Sequence, residues 1–214
     1  MRSRRARSWP VTDSEQSAIF PLSAVVFPGT AIPLRLFEDR YLVMMRDLLA
    51  QDSSLSVAIC PILRGREVGG GDTRSDTATM CALKEVRVHD DGTYTLLAVG
   101  VYRVRVDTWL PDDPYPKGLV VTLRDEDYRP TADDIYIAHE LATSILRRLG
   151  ADMPLEATVV VADPAMSAFR IASLVPISDH DRHLILAEDN PSRRLQLCRS
   201  ALEDLDAALT FRGR

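Results

Sequence analysis

The chain has 214 residues, room for one large domain or two small ones at roughly 100–200 residues per domain. Its 46% hydrophobic and 27% charged residues are ordinary for globular proteins and exclude a wholly disordered chain, while no apolar run reaches the roughly 18 residues of a membrane-spanning helix. The net charge is −5, and with the four arginines of the first seven residues set aside the other 207 carry −9, a balance that repels phosphate backbones.

Those arginines, Arg2, Arg4, Arg5 and Arg7, are followed by a polar stretch rather than the apolar run of a secretory signal, so residues 1–16 read as a flexible basic leader. Short β-rich runs then recur at AIFPLS (18–23), AIPLRL (31–36) and LSVAIC (55–60), with a long one from Thr77 to Val88. Glu38-Asp39 open a helix whose apolar residues, from Tyr41 to Leu49, recur at helical spacing. Asp91-Gly92, between Val88 and Tyr94, is a strong hairpin signal because glycine accepts φ > 0. The return strand runs from Tyr94 through Val106, with Gly100 marking a bulge or corner, and Gly118–Leu123 gives one more strand. Several short strands of this kind predict a small closed or nearly closed barrel over residues 17–127.

Near Tyr128-Arg129-Pro130 the period becomes helical. Asp133-Asp134 precede a helix to Leu149 that Gly150 closes as a left-handed cap. Asp163-Pro164 reads as N-cap plus first-turn proline, Ser178-x-x-Asp181 as a capping box with Asp for Glu, and Asn190-Pro191 as the start of the last helix. ATVVVA (157–162) fits a strand or a buried helix and is read as helix. Residues 128–214 thus form a helical bundle, and the fold class is α+β. The polar joint before Thr131 is expected to be open to a limiting protease near residues 125–132.

Few residues carry the marks of catalytic chemistry. Gly69, Gly70 and Gly71 lack the following Lys-Ser/Thr of a phosphate-binding loop and read as a flexible turn. The two lysines, Lys84 and Lys117, lie in contexts that do not activate a base, and no GxSxG elbow occurs. Asp179-His180-Asp181-Arg182-His183 is the one metal-like cluster, better explained as a solvated helix start. Cys60, Cys81 and Cys198 are odd in number, widely spaced and flanked by apolar residues, which excludes a disulfide framework and fits buried thiols in a reducing cytoplasm. No catalytic residue, metal or cofactor is expected.

One stretch carries a resemblance. Pro21-Leu22, Val25-Val26-Phe27-Pro28-Gly29, Pro33-Leu34 and Phe37-Glu38-x-Arg40-Tyr41 resemble the opening of the Lon protease amino-terminal domain. Glu67-Val68-Gly69, the run from Leu96 to Val104, and the leucines of Leu184-x-Leu186-x-Glu188 and Arg193-Arg194-Leu195 are similar to its later motifs, so the likeness spans about residues 18–209. It implies a PUA-like β-barrel followed by a helical bundle, with residues 17–214 together as one such domain. It also implies recognition of peptide or unfolded-protein segments in protein quality control, alongside a protease or chaperone partner.

Full-length Lon continues into an ATPase and a serine–lysine protease, and the chain stops at Arg214 with neither, so a stand-alone, non-catalytic form is expected. The family-motif residues Phe27, Pro28, Gly29, Phe37, Glu38, Arg40 and Tyr41 are the candidate binding positions, although turn and packing roles explain them too, Phe27 as a cap on the barrel. The alternative is an RNA- or small-ligand-binding PUA-like module. Against RNA, residues 8–127 hold 12 basic and 18 acidic side chains, and an arginine patch from Arg64, Arg66 and Arg74 would be needed.

Overall fold

The hydrophobic period of the sequence maps onto the elements in order, and the computed structural model describes residues 14–51, 55–65, 71–151 and 163–212. Strands β1 (Glu15–Leu22) and β2 (Ala31–Leu36) precede helix α1 (Asp39–Leu49). Strands β3 (Ser56–Arg64), β4 (Thr73–Arg74), β5 (Thr77–Val88), β6 (Tyr94–Leu110) and β7 (Lys117–Thr122) follow. Helices α2 (Ala132–Arg148), α3 (Ser167–Leu174), α4 (Asp179–Ala187) and α5 (Pro191–Arg212) end the chain, with a 3-10 turn at Pro164–Met166 leading into α3. Among the described residues no helix is long and apolar enough to cross a membrane.

Strands β2 and β5 keep the limits expected from sequence, whereas β6 runs on to Leu110 and the two-residue β4 is too short to leave a periodic signal. β1 already begins at Glu15, inside the span read as leader. Residues 1–13, Arg66, the Glu67-Val68-Gly69 motif, Gly70 and the ATVVVA segment lie outside the described residues.

The sheet is mixed. Its order is β1-β7-β6-β5-β3-β4, with β2 added on β6, and β1 also pairs with β3 in parallel, so the pairings β1–β7–β6–β5–β3–β1 return to their starting strand. Two irregularities let the long β5–β6 ribbon bend, one between Met80 and Cys81, opposite Gly100–Tyr102, and one between Lys84 and Arg87. The bulge expected at Gly100 falls on the first. β6 carries β2 on its first half, Tyr94–Val99, and β7 on its second, Val104–Leu110.

Three cores form. One lies beneath α1, β1 and β2, around Leu36, Tyr41, Met44, Met45 and Leu96. A smaller one gathers Ile19, Ala58, Cys60, Val104 and Val120. The third fills the helical half with Ile135, Ile145, Phe169, Ile171, Leu186, Leu195 and Leu202, and it also takes in Val25 and Phe27 from the turn before β2. In α4 the apolar residues Leu184 to Ala187 are consecutive, and the helix buries Ile185 and Leu186 while Leu184 faces solvent.

The caps follow the sequence signals. Thr131, Ser178 and Asp163 side chains accept from the backbone N–H of Asp134, Asp181 and Ala165, and Asn190 Oδ1 accepts from Ser192 and Arg193. Gly150, with φ of +72°, stops α2 as expected.

Polar contacts tie the two halves together. Arg103 of β6 donates to the carbonyls of Leu186 and Glu188 at 3.0 Å each and to Asp125 Oδ1 at 2.7 Å. Arg194 of α5, fully buried, bonds both oxygens of Asp125 and the Glu188 carbonyl, and its guanidinium lies 4.2 Å from the Phe169 ring centre. The Glu126 N–H donates to the Asp189 carbonyl at 2.9 Å.

Candidate functional site

The seven family-motif residues fall into two separate places. Phe27, Pro28 and Gly29 form the turn between β1 and β2, held by Thr30, whose hydroxyl donates to the Phe27 carbonyl at 2.7 Å and accepts from the Phe27 N–H at 3.1 Å. Gly29, at φ of +81°, donates to the Gly100 carbonyl at 2.9 Å, and the Gly100 N–H donates to Thr30 at 2.8 Å. A Cβ on Gly100 would stand 2.3 Å from the Phe27 carbonyl oxygen, so only glycine lets the turn lie flat on β6.

With its backbone fixed there, Phe27 points away from the sheet and stacks on Phe169, 5.3 Å between centroids and 25° between planes. It plugs the helical core rather than capping the strands, while its neighbour Val26 packs into the strand core. Phe27 and Pro28 are both buried.

Phe37, Glu38, Arg40 and Tyr41 sit where β2 hands over to α1. Here a groove of about 230 Å³ runs between Phe20–Leu22 of β1, Pro33–Leu36 of β2, and Phe37, Glu38 and Tyr41. Tyr41 meets the Phe20 ring edge-on, 4.4 Å between centroids, and Arg40 lies 4.6 Å above Tyr41 while pairing with Glu38 at 3.0 Å. Burial pushes the Tyr41 phenol up to about 12, against the opposing charge of Arg40, so it stays protonated. Phe37 occupies the position before the N-cap Glu38, where an apolar side chain commonly staples back onto the helix. It remains 57% exposed, an apolar wall left open beside an apolar groove.

A second groove, also about 230 Å³, opens at the other end of β1 beside Glu15, Tyr102, Tyr115 and Lys117. Two of its polar groups are already engaged: the Tyr115 hydroxyl donates to Asp47 at 2.9 Å, and Lys117 donates to the Asp113 carbonyl at 2.9 Å.

Among the described residues, Ser75 with His183 and Thr95 with His89 are hydroxyl–imidazole pairs within hydrogen-bond reach. Ser75 Oγ lies 2.8 Å from His183 Nε2, a nucleophile–base distance, yet Ser75 is 3% exposed and its oxygen also accepts from the Thr77 N–H. Burial raises the thiols of Cys60, Cys81 and Cys198 to about 12, where they are inert. Among the described residues no group of three or more His, Cys, Asp and Glu could hold a metal ion, and His183 is turned toward Ser75. Gly71 takes a left-handed φ of +77° in open space. Of the three nominated arginines, Arg74 is held by Asp72 at 2.8 Å and Asp112 at 2.6 Å.

The seven nominated positions omit the groove's strand walls. Their sequence signals were the motif pairs Pro21-Leu22 and Pro33-Leu34 and the proline inside the alternating AIPLRL run, since proline within a sheet marks an edge strand.

Comparison with known proteins gives one consistent result. Residues 17–204 match the family described as the ATP-dependent protease La (LON) substrate-binding domain. A LON peptidase N-terminal domain and RING finger protein of Schizosaccharomyces pombe is 25% identical over 97% of this chain and 49% of its own length. A Lon protease of Anaeromyxobacter dehalogenans is 22% identical over 84% of the chain and 22% of its length, so the chain spans about half of the first relative and about a fifth of the second. Among solved structures, a Lon N-terminal domain protein from Xanthomonas campestris superposes with a TM-score of 0.64 at 29% identity, covering 85% of this chain and 95% of that one. The N-terminal domain of a Mycobacterium avium complex Lon protease shares the fold, with a TM-score of 0.69 at 14% identity over 89% and 99% of the two chains.

Proposed function

The chain belongs to the family of ATP-dependent protease La (LON) substrate-binding domains, and from that premise we propose that it is a non-catalytic module that binds peptide or unfolded-protein segments. The observation that carries this reading is the apolar groove beside the 57%-exposed Phe37, built from the motif residues Phe37, Glu38 and Tyr41. The ring of strand pairings is, on this reading, the PUA-like barrel that presents the groove, and residues 128–214 are the bundle that supports it. Polypeptide substrates and a protease or chaperone are the partners, in a cytoplasm whose reducing conditions suit three free cysteines.

Groove size and local charge weigh against the alternatives. Each groove, at about 230 Å³, is below the roughly 300–1,000 Å³ of drug-sized ligand sites. Arg74, held between two carboxylates, offers no charge to a phosphate backbone.

The test is fluorescence anisotropy with labelled, reduced and carboxymethylated casein. Binding that weakens at least fivefold in Phe37→Ala, and stays unchanged in Phe211→Ala at the far end of α5, supports the groove. Equal binding by Phe37→Ala and the parent protein overturns the site, and no binding at high micromolar concentration overturns the function.

A further inference from the structure

We propose that the groove is filled by an extended polypeptide strand that adds to the open edge of β2 through its backbone, an inference that rests on the peptide-binding reading above. β2 pairs with β6 along one side, from Ala31↔Val99 to Leu36↔Tyr94, and among the described residues its other side has no partner strand.

The parity of that free side follows from one bond. Gly100 N–H donates to the Thr30 carbonyl, and Thr30 and Gly100 continue the same register, so the even residues 30, 32, 34 and 36 turn their backbone groups toward β6. Ala31, Pro33 and Arg35 therefore turn theirs outward. This accounts for Pro33, whose ring removes an N–H that the β6 ladder would have used at an even position. The outward edge keeps the N–H and carbonyl of Ala31, the carbonyl of Pro33, and the N–H and carbonyl of Arg35.

Groups repeating every second residue, about 6.6–6.8 Å apart, match another extended backbone and little else. The groove lies directly beside them, bounded by the same Pro33–Leu36 and by Phe37, where alternate side chains of an added strand would settle. Its charged flanks are internally matched, Arg35 with Asp91 at 3.6 Å and Glu38 with Arg40 at 3.0 Å. The site thus favours an apolar, uncharged segment over an acidic or basic one. Pro33 blunts the edge at its centre, which guards against sheet growth between copies and leaves the two ends open to a ligand.

The experiment uses the full chain and a nine-residue peptide that alternates valine and threonine around a central phenylalanine, measured by calorimetry. Two further peptides carry backbone N-methyl groups on alternate residues, one of each parity. The expected result is that one parity loses more than tenfold in affinity while the other stays within about twofold of the parent peptide. Pro33→Ala, which restores an outward N–H, should then bind the parent peptide about 2- to 10-fold more tightly. If both methylated peptides bind like the parent while Phe37→Ala still weakens casein binding, edge pairing is wrong and the groove reading stands. A parent peptide that fails to bind while casein binds through Phe37 likewise overturns edge pairing alone. Failure of both peptide and casein to bind overturns the two readings together.

Discussion

Arg103 and Arg194, 91 positions apart in the chain, donate to the same oxygen, Oδ1 of Asp125, at 2.7 and 2.5 Å, and both also donate to the carbonyl of Glu188. One arginine comes from the sheet and the other from the last helix, so a single carboxylate and a single carbonyl serve as the junction between the halves. Two like charges can share this space only because Asp125 and Asp189, which lies 3.0 Å from Arg103, supply compensating charge.

Asp125→Asn is expected to cost about 3–5 kcal/mol in urea unfolding, because it removes the shared charge from two arginines that are 3% and 0% exposed. Burial alone would raise the Asp125 carboxyl, but the hydrogen bond and charge of Arg194, then those of Arg103, hold it below its usual 3.8. A carboxylate depressed in the folded state stabilises fully above the unfolded value and loses its effect as pH falls through the folded one. The parent protein should therefore lose stability below about pH 4 more steeply than Asp125→Asn, and parallel acid profiles would remove Asp125 from this role.

His183 provides a second, milder pH response. Its Nε2 lies 2.8 Å from Ser75 Oγ, which also accepts from the Thr77 N–H, so the ring is half-buried against the strand half. Burial, and then the neighbouring His180, lower its pKa below 6.5. The unfolded chain then takes up the proton first, and stability should decline as pH falls below about 6.5. His183→Gln should flatten that part of a thermal-melt series, and an unaltered slope would show that another group titrates there.

The turn at Phe27–Thr30 depends on a missing side chain. Gly100→Ala places a methyl group against the Phe27 backbone, and the clash has no flexible side-chain end to yield. The expected loss is about 3 kcal/mol, the upper end of ordinary overpacking, with a shift of near-ultraviolet circular dichroism as the Phe27–Phe169 stack is displaced. A melting temperature within a degree of the parent would mean the turn can lift off β6 without consequence.

Limited proteolysis should leave residues 123–131 intact. Asp125 is held by two arginines, the Glu126 N–H by Asp189, and the Glu126 carboxylate by the Asn190 amide at 3.0 Å. A protease must open such a segment locally before cutting it, and these bonds oppose that opening. Early cleavage there, giving separate β-rich and helical fragments, would mean the junction opens far more readily than its bonding suggests.

What the sequence made legible was local. The limits of β2 and β5, the Asp91-Gly92 turn with Gly92 at φ of +78°, and the caps at Ser178 and Asn190 depend on residues a few positions apart. The joint before Thr131 reads from sequence as open to a protease because it is short and polar, while Arg103 and Arg194, the partners of nearby Asp125, lie 22 and 69 positions from it. Phe27 was nominated from a motif, but its neighbour Phe169 carries no mark in the sequence that would pair the two. The groove was half legible: Phe37, Glu38 and Tyr41 came from the motif, while the walls from β1 and β2 needed the fold to bring them opposite one another.

The pairing of β1 with both β3 and β7 carries a consequence for how the molecule is made. Glu15 lies opposite Val120, so the first strand waits for 105 further residues before its second partner exists. A chain leaving the ribosome can form the β5–β6 ribbon and the β1–β3 pair early, but the ring stays open until β7 emerges. The helical core waits too, in the opposite sense: its plug, Phe27, is made more than 100 residues before Ile135, the first helical residue of that core, and stays without its packing partners until they arrive. Closure of both halves is thus a late, long-range event, and long-range closure of this kind slows folding and lengthens the time that apolar strand surface stays open to other chains.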